Sequence, residues 1–107
     1  MRRAAAAFSG VCFVASAAAF PAAAGVVRIE AKGIGFAPAK ISAKIGDTIE
    51  WSNRDFVAHT ATARDHAWDV SLPPNKSGRT VLKKAGKVIY YCRFHPNMTG
   101  EIDASAK

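Results

Sequence analysis

The segment that most restricts the fold of this chain lies near the C-terminus and reads Cys92-Arg93-Phe94-His95-Pro96-Asn97-Met98. It places a thiol, an imidazole and a thioether three residues apart in succession. Thiolate and thioether are soft ligands, imidazole suits copper, and one Cys with two His and a weak axial Met is the ligand set of a blue-copper site. The segment therefore predicts a metal loop that needs a second histidine from another part of the fold.

His59 is the candidate for this second histidine. It lies upstream of Cys92, after a strand-like run and a loop at residues 54–58 that would deliver it to the metal loop. The backbone N–H of Thr60 is then a candidate hydrogen-bond donor to the Cys92 thiolate, and such donors tune a metal site. We therefore expect His59, Cys92, His95 and Met98 to hold one copper ion, with the rest of the chain as a rigid scaffold.

The first 24 residues have the features of a secretory signal peptide. The start, Met1-Arg2-Arg3, is positively charged, residues 4–20 are almost wholly small and apolar, and Ala22-Ala23-Ala24 fits a cleavage site. A membrane anchor is the alternative, but the run is short and rich in alanine, and the cleavage site follows it directly. We expect residues 1–24 to be a signal peptide, residues 25–107 to form one domain, and the mature protein to be exported without stable membrane insertion.

Cysteine usage supports a metal site. Cys12 would be discarded with the signal peptide, which leaves Cys92 as the only cysteine of an exported chain. A single cysteine in an oxidising compartment implies a partner chain, a reactive thiol or a metal. Only the metal makes use of His95 and Met98 as well. Zinc is the rival metal, but a structural zinc site requires a fourth strong ligand, and a methionine does not supply one.

The charge of the mature chain is moderately basic. Without Arg2 and Arg3 the 15 basic residues become 13, against 8 acidic residues, which gives a net charge of +5. No basic run alternates with aromatic residues, so the sequence does not predict binding to nucleic acid. The positive charge favours an acidic docking partner.

Hydrophobic alternation predicts a fold made of short strands. Ile41, Ala43 and Ile45 alternate with polar residues, and Ile49 and Trp51 share one face of the next run. Strands are predicted at residues 26–31, 40–45, 48–53, 60–63, 80–82, 87–91 and 100–103. Residues 73–78 are predicted to be a loop by composition, and residues 104–107 are predicted to fray. Short strands with frequent turns indicate an all-β sandwich or barrel.

Three further residues have less informative settings. His66 lies in a stretch without clear periodicity, and nothing at motif spacing accompanies it, so we expect a solvated loop residue. Trp51 and Trp68 are expected to be buried or partly buried rather than to contact a cofactor.

The chain resembles the cupredoxins of the plastocyanin/azurin superfamily, and within them it is most similar to the amicyanins. The features that carry the resemblance are Phe36-Ala37-Pro38, Gly46-Asp47-Thr48, Trp51-Ser52-Asn53, Asp55 before His59-Thr60, and the segment from Tyr91 to Gly100. The spacing Cys-x-x-His-x-x-Met is that of the short amicyanin-like ligand loop, whereas Arg93, Phe94 and Asn97 depart from the usual amicyanin loop. The resemblance implies a small Greek-key β-sandwich, a type 1 copper ion and the ligands His59, Cys92, His95 and Met98.

The resemblance also implies a function, namely one-electron transfer between redox proteins in the periplasm. The alternative is a periplasmic copper-binding or copper-delivery protein without a redox partner. An enzyme is not expected, because four protein ligands leave no open metal position. We expect a monomer whose exposed edge of His95 is surrounded by Phe36, Pro38, Phe94 and Pro96, with Arg93 beside it facing an acidic partner.

Overall fold

The structure is a computed structural model that describes residues 24–106. The predicted signal peptide therefore lies outside the described residues, apart from Ala24. Nine strands make up the described chain: β1 Val26–Ala31, β2 Phe36–Ala37, β3 Lys40–Lys44, β4 Thr48–Asn53, β5 His59–Ala63, β6 Asp69–Leu72, β7 Ser77–Val81, β8 Gly86–Tyr91 and β9 Thr99–Ser105. Within residues 24–106 there is no helix with the length and apolar character needed to cross a membrane.

The strands form two sheets that face each other. One sheet has the order β2-β1-β4-β7 and the other the order β3-β9-β8-β5-β6. Most neighbours are antiparallel, but β1 pairs with β4 and β3 pairs with β9 in parallel. The predicted all-β sandwich is confirmed.

Large aromatic residues fill the space between the sheets. Trp51 from the first sheet and Tyr90 from the second are both fully buried, with ring centroids 5.4 Å apart. Trp68 is partly buried and packs on Trp51 at 5.1 Å, so the predicted burial of both tryptophans is confirmed. Phe36 packs edge-on against Tyr90 at 4.7 Å and is only 6% exposed. The expectation that Phe36 lies on the surface around His95 is therefore wrong, because β2 pairs with β1 and directs this ring into the core.

The ring of Tyr90 lies over a glycine of the neighbouring strand. Gly100 is its register partner on β9, and a Cβ atom at Gly100 would clash with Cζ of the Tyr90 ring. Burial raises the pKa of Tyr90 to about 12. Its hydroxyl and the indole Nε1 of Trp51 are both buried, and neither has a hydrogen-bond partner among residues 24–106. The ring contributes to the core through its area and shape, since an unpaired buried hydroxyl opposes folding.

Three local predictions are corrected by the structure. Strand β6 was not predicted, since its four residues lie at a sheet edge and give too short an alternation. Strand β7 begins at Ser77, inside the predicted loop, because Ser77 and Gly78 pair with Ser52 and Trp51 of β4. Strand β9 continues to Ser105 instead of fraying after residue 103, because Ala104 is 4% exposed and belongs to the core.

The loop before His59 is shaped by one buried side chain at the end of β4. The amide nitrogen of Asn53 donates to the carbonyl oxygens of Val57 and Leu72, at 2.8 and 2.9 Å. Its amide oxygen accepts from the backbone N–H of Asp55 at 2.9 Å. Asn53 is 1% exposed, so these bonds form away from competing water. They fix residues 54–58 and thereby the position from which β5 starts at His59.

Candidate metal centre

The predicted metal loop consists of two consecutive tight turns. The N–H of His95 donates to the carbonyl of Cys92 at 3.2 Å, and the N–H of Met98 donates to the carbonyl of His95 at 2.8 Å. A third bond, from the N–H of Cys92 to the carbonyl of Met98 at 3.0 Å, closes the loop. Each turn comprises four residues and advances the chain by three positions, which accounts for the equal spacing of thiol, imidazole and thioether in the sequence.

Three of the four predicted ligands lie together. One donor atom each from His59, Cys92 and His95 lies within 4.8 Å of the other two. The Sγ atom of Cys92 is 3.7 Å from Nδ1 of His59 and 3.7 Å from Nδ1 of His95. The imidazole rings stand edge to face with centroids 5.1 Å apart. Cys92 and His59 are fully buried, whereas His95 is half-buried at the surface.

These distances suit a metal held in a trigonal arrangement. Metal–sulfur and metal–nitrogen bonds of about 2.3 Å and about 2.0 Å that meet at about 120° separate the two donor atoms by about 3.7 Å. Both distances between sulfur and nitrogen agree with this value. A thiolate and two imidazoles also have the softness that copper prefers.

Asp55 selects which ring nitrogen of His59 carries the hydrogen. Its Oδ2 atom lies 2.7 Å from Nε2 of His59, and an ionised carboxylate only accepts hydrogen bonds. Nε2 therefore carries the proton, and Nδ1 presents a lone pair towards Cys92. The same carboxylate accepts from the backbone N–H groups of Gly33 at 2.9 Å and Ile34 at 3.3 Å. The Gly33 bond, followed by the bond to His59, lowers the pKa of Asp55 from its ordinary value of 3.8.

The predicted donor to the thiolate is present. The backbone N–H of Thr60 points at Sγ of Cys92 with a distance of 3.4 Å, and both residues are buried. This bond joins the start of β5 to the metal loop. It also withdraws electron density from the sulfur, which is one of the ways a protein tunes a metal–thiolate site.

Met98 is placed in the core rather than at the surface. It is 1% exposed and belongs to the same buried cluster as Cys92. Its backbone closes the metal loop through both its N–H and its carbonyl. The thioether is therefore confined to the interior beside the loop, and its role as an axial ligand stays a prediction.

The structure adds residues that the motif did not reveal. Asn53 shapes the loop before His59, and the side chain of Thr60 accepts from the backbone N–H of Arg93 at 2.9 Å. Asp55 stood in the sequence four residues before His59, a signal that could have indicated a carboxylate–histidine pair. His66 is exposed with φ of 66°, as expected for a loop residue outside the site.

Comparison with known proteins agrees with this geometry. The family model described as a cupredoxin-like domain matches residues 5–103. The methylamine utilization protein MauL of Methylorubrum extorquens is 32% identical over 101 residues, which cover 91% of this chain and 89% of MauL.

Several solved structures share the fold. A purple cupredoxin from Nitrosopumilus maritimus has a TM-score of 0.68 and 22% identity, over 74% of this chain and 99% of that one. The P94F variant of amicyanin in its reduced state has a TM-score of 0.65 and 20% identity, over 75% of this chain and 82% of that one.

The cluster of His59, Cys92 and His95 fits a type 1 copper site in its donor atoms, their spacing and their burial. The family model covers almost the whole chain, and the fold of the described residues is the one found in cupredoxins. The chain therefore belongs to the cupredoxin-like domain family.

Proposed function

We propose that this protein carries single electrons between redox partners with one type 1 copper ion bound by His59, Cys92 and His95 and, as a weak axial ligand, Met98. The observation that carries the proposal is the buried cluster of one thiol and two imidazole nitrogens, with the N–H of Thr60 directed at the sulfur. When bound, copper supplies the one-electron change between Cu(II) and Cu(I).

The protein's own contribution is to keep the donor atoms in place. The bond from Asp55 fixes the ring of His59, and the two turns of the loop fix Cys92 and His95 relative to each other. A site held in this way changes little between two oxidation states, which favours rapid electron transfer. With four protein ligands no position is left for a substrate, so we infer that the protein is not an enzyme.

The proposal is tested by adding Cu(II) to the purified protein and recording its visible spectrum, followed by a redox titration. An intense blue or purple band from thiolate-to-copper charge transfer is expected, and Cys92→Ser should abolish it. Reversible cycling without loss of copper supports an electron carrier, whereas ready transfer of Cu(I) to a competing chelator supports the alternative of copper delivery. A colourless copper complex, or binding of zinc alone, contradicts the proposal.

Met98 has its own test. Met98→Gln replaces a soft sulfur with a harder oxygen donor, which favours Cu(II), so the reduction potential should fall while copper stays bound. An unchanged potential would show that Met98 serves only in packing.

We infer that partners dock on the end of the sandwich that carries the metal loop. Four large apolar side chains are exposed in the loops at this end: Ile34 at 51%, Phe56 at 90%, Val57 at 48% and Phe94 at 56%. Ile34 is β-branched and has φ of 56°, a conformation that costs energy and often marks functional sites. Asp55 holds the backbone of Ile34 and the ring of His59 together, so this patch adjoins the metal cluster. A small apolar patch suits a weak, transient interface.

Charges at the same end favour an acidic partner. Lys32, Arg54, Lys76 and Arg93 are exposed beside the ends of the strands that carry the site. Arg54 pairs with Glu30 and Arg93 pairs with Asp69, whereas no ion pair within residues 24–106 involves Lys32 or Lys76. Steering by such charges raises the association rate and weakens with salt.

Oxidation of the Cu(I) protein by inorganic complexes tests this surface without a known partner. Hexacyanoferrate(III) is anionic, and its reaction should slow as salt increases, whereas a cationic tris(phenanthroline)cobalt(III) complex should show the opposite trend. Lys32→Glu should slow the anionic reaction at low salt. Lys83→Glu, on the turn before β8, is the matched control and should leave the rate closer to that of the wild type. Equal rates in both variants would place the electron-transfer surface elsewhere.

We propose that residues 1–24 direct export and that the domain of residues 25–107 works as a monomer in the periplasm. The support is the charged, apolar and small-residue order of the N-terminus, together with Cys92 as the single cysteine after cleavage. N-terminal sequencing of the protein recovered from a periplasmic extract would test the cleavage site.

A further inference from the structure

Five polar groups from four residues beside the metal loop form a closed ring of hydrogen bonds. The N–H of Arg93 donates to Oγ1 of Thr60 at 2.9 Å, and Oγ1 of Thr60 lies 2.9 Å from Oγ1 of Thr62. The hydroxyl of Thr62 donates to Oδ1 of Asp69 at 2.7 Å. Nε of Arg93 returns to the same oxygen at 3.3 Å. The ring therefore starts and ends on the residue that follows Cys92.

The direction of every bond in this ring is determined. An ionised Asp69 only accepts, so the proton of the Thr62 hydroxyl is committed to it. Thr62 can then only accept from Thr60, whose own oxygen accepts from the N–H of Arg93. All three bonds of the hydroxyl chain run the same way, and bonds aligned like this polarise and strengthen one another. The bond from Thr62 is the largest cause of the lowered pKa of Asp69.

The ring is built into the fold rather than resting on the surface. Strand β5 lies between β6 and β8, and Thr62 is the register partner of both Asp69 and Tyr91. By strand alternation, Thr60 and Thr62 point away from the core side occupied by Ala61. They are nevertheless only 1% and 7% exposed. A hydroxyl pair this deeply covered requires partners, and the ring supplies them.

The ring of hydrogen bonds affects the surroundings of the Cys92 sulfur in two ways. The same Thr60 whose hydroxyl belongs to the ring donates its backbone N–H to Sγ at 3.4 Å. The ring also occupies the N–H of Arg93, the residue bonded to Cys92, and so directs that group away from the thiolate. The number and direction of such donors set the potential of a metal–thiolate site.

We propose that Asp69 is a positioning residue for the copper site, which acts through the hydroxyls of Thr62 and Thr60 on the backbone that flanks Cys92. This inference rests on the proposed copper site and extends it to a residue on the edge strand that touches no ligand. The alternative is that Asp69 forms only a surface ion pair with Arg93. The Asp69 side chain is 54% exposed and the Arg93 side chain is 46% exposed. Such pairs contribute little.

Thr62→Val is the decisive variant, because it removes one hydroxyl, changes no charge and keeps the β-branched shape. In the copper protein we expect the colour to persist and the reduction potential to rise, because the Arg93 N–H is held less firmly away from the sulfur and a further donor to the thiolate favours Cu(I). NMR of the Cu(I) form can follow hydrogen exchange of the Arg93 amide. Exchange should accelerate by about fivefold to tenfold, because the Thr60 hydroxyl that accepts from this amide loses its own hydrogen bond to Thr62. Thr80→Val on β7 is the matched control and should alter neither quantity.

A second pair of variants covers the case in which Thr62→Val does not fold. Asp69→Ala breaks both the ion pair and the hydroxyl chain, whereas Arg93→Gln breaks the ion pair alone. We expect faster exchange of the residue 93 amide in Asp69→Ala than in Arg93→Gln. Equal exchange in these two variants, or a Thr62→Val protein with wild-type potential and wild-type exchange, overturns the inference. Either result can occur in a fully blue protein, so it is distinct from failure of the proposed copper site.

Discussion

Asp55 is a single carboxylate that joins two loops to a candidate metal ligand. It accepts two backbone N–H groups from the turn at Gly33 and Ile34, and it holds Nε2 of His59. The pairing of a carboxylate with a ligating histidine orients the ring and raises its basicity. Asp55 therefore belongs to the site although it would not touch the metal.

The first prediction follows from this arrangement. Asp55→Ala should lower copper affinity by about 10-fold to 100-fold, because the ring of His59 loses the bond that fixes its tautomer and orientation. A competition titration with a copper chelator measures this effect. Asp103→Ala, an exposed aspartate on β9, is the control and should bind copper as the wild type does. Equal affinity in both variants would mean that the backbone alone positions His59.

At the scale of elements, β8 packs closely against β9 at Gly100, which has no side chain. Tyr90 extends over Gly100, and Trp51 and Phe36 pack against its ring. A side chain at position 100 would therefore occupy the same space as this ring. Strand β9 follows the metal loop directly, so this contact also anchors the end of the loop.

We predict that Gly100→Ala destabilises the protein by about 1–3 kcal/mol, or more, through overpacking against the Tyr90 ring. Denaturant unfolding of the metal-free protein measures this difference. Gly35→Ala is the control, because a Cβ there would lie 3.7 Å from the nearest atom, the carbonyl oxygen of Lys32, which is ordinary contact. A loss of stability that is equal in the two variants would contradict the role assigned to the close approach of Tyr90.

The elements also show where sequence patterns suffice and where they fail. Alternation predicted β3 and β4 because each has one buried face, and the same property is absent from the short edge strand β6. The metal cluster and the Thr60 donor were predictable because the chemistry needs those groups at those spacings. The roles of Asp55 and Asp69 were not, since side-chain hydrogen bonds depend on which strands become neighbours. Phe36 was misplaced because a two-residue strand gives no periodicity.

At the scale of the whole molecule, bonded carboxylates make stability depend on acidity. Four carboxyl groups have a pKa below the ordinary value because they accept hydrogen bonds. The largest cause is a backbone N–H for two of them, from Gly25 to Asp47 and from Gly33 to Asp55. It is a side-chain hydrogen bond for the other two, from Arg79 to Glu50 and from Thr62 to Asp69. A carboxyl whose pKa is lower in the folded state contributes stability above its unfolded value, and this contribution disappears as the pH falls through its folded value. All four shifts therefore act in the same direction.

We predict that the stability contributed by these carboxylates is nearly constant above pH 5 and falls as the pH drops below about 4. Urea unfolding of the metal-free protein at pH 6, 5, 4 and 3 tests this dependence. Asp69→Asn should lose less stability than the wild type over the acidic interval, because it has one fewer group to protonate. Constant stability down to pH 3 would contradict the assigned hydrogen bonds.

The parallel pairing of β3 with β9 has a consequence for the order of events during synthesis. Strand β3 lies at the edge of its sheet and has β9 as its neighbour, and β9 includes almost the last described residues. A ribosome makes His59 well before it makes residues 92–98, and β9, the strand that secures this segment, is made after both. A nascent chain therefore offers copper only scattered donors. The donor atoms are therefore held together only after β9 has been made and has paired with β3 and β8.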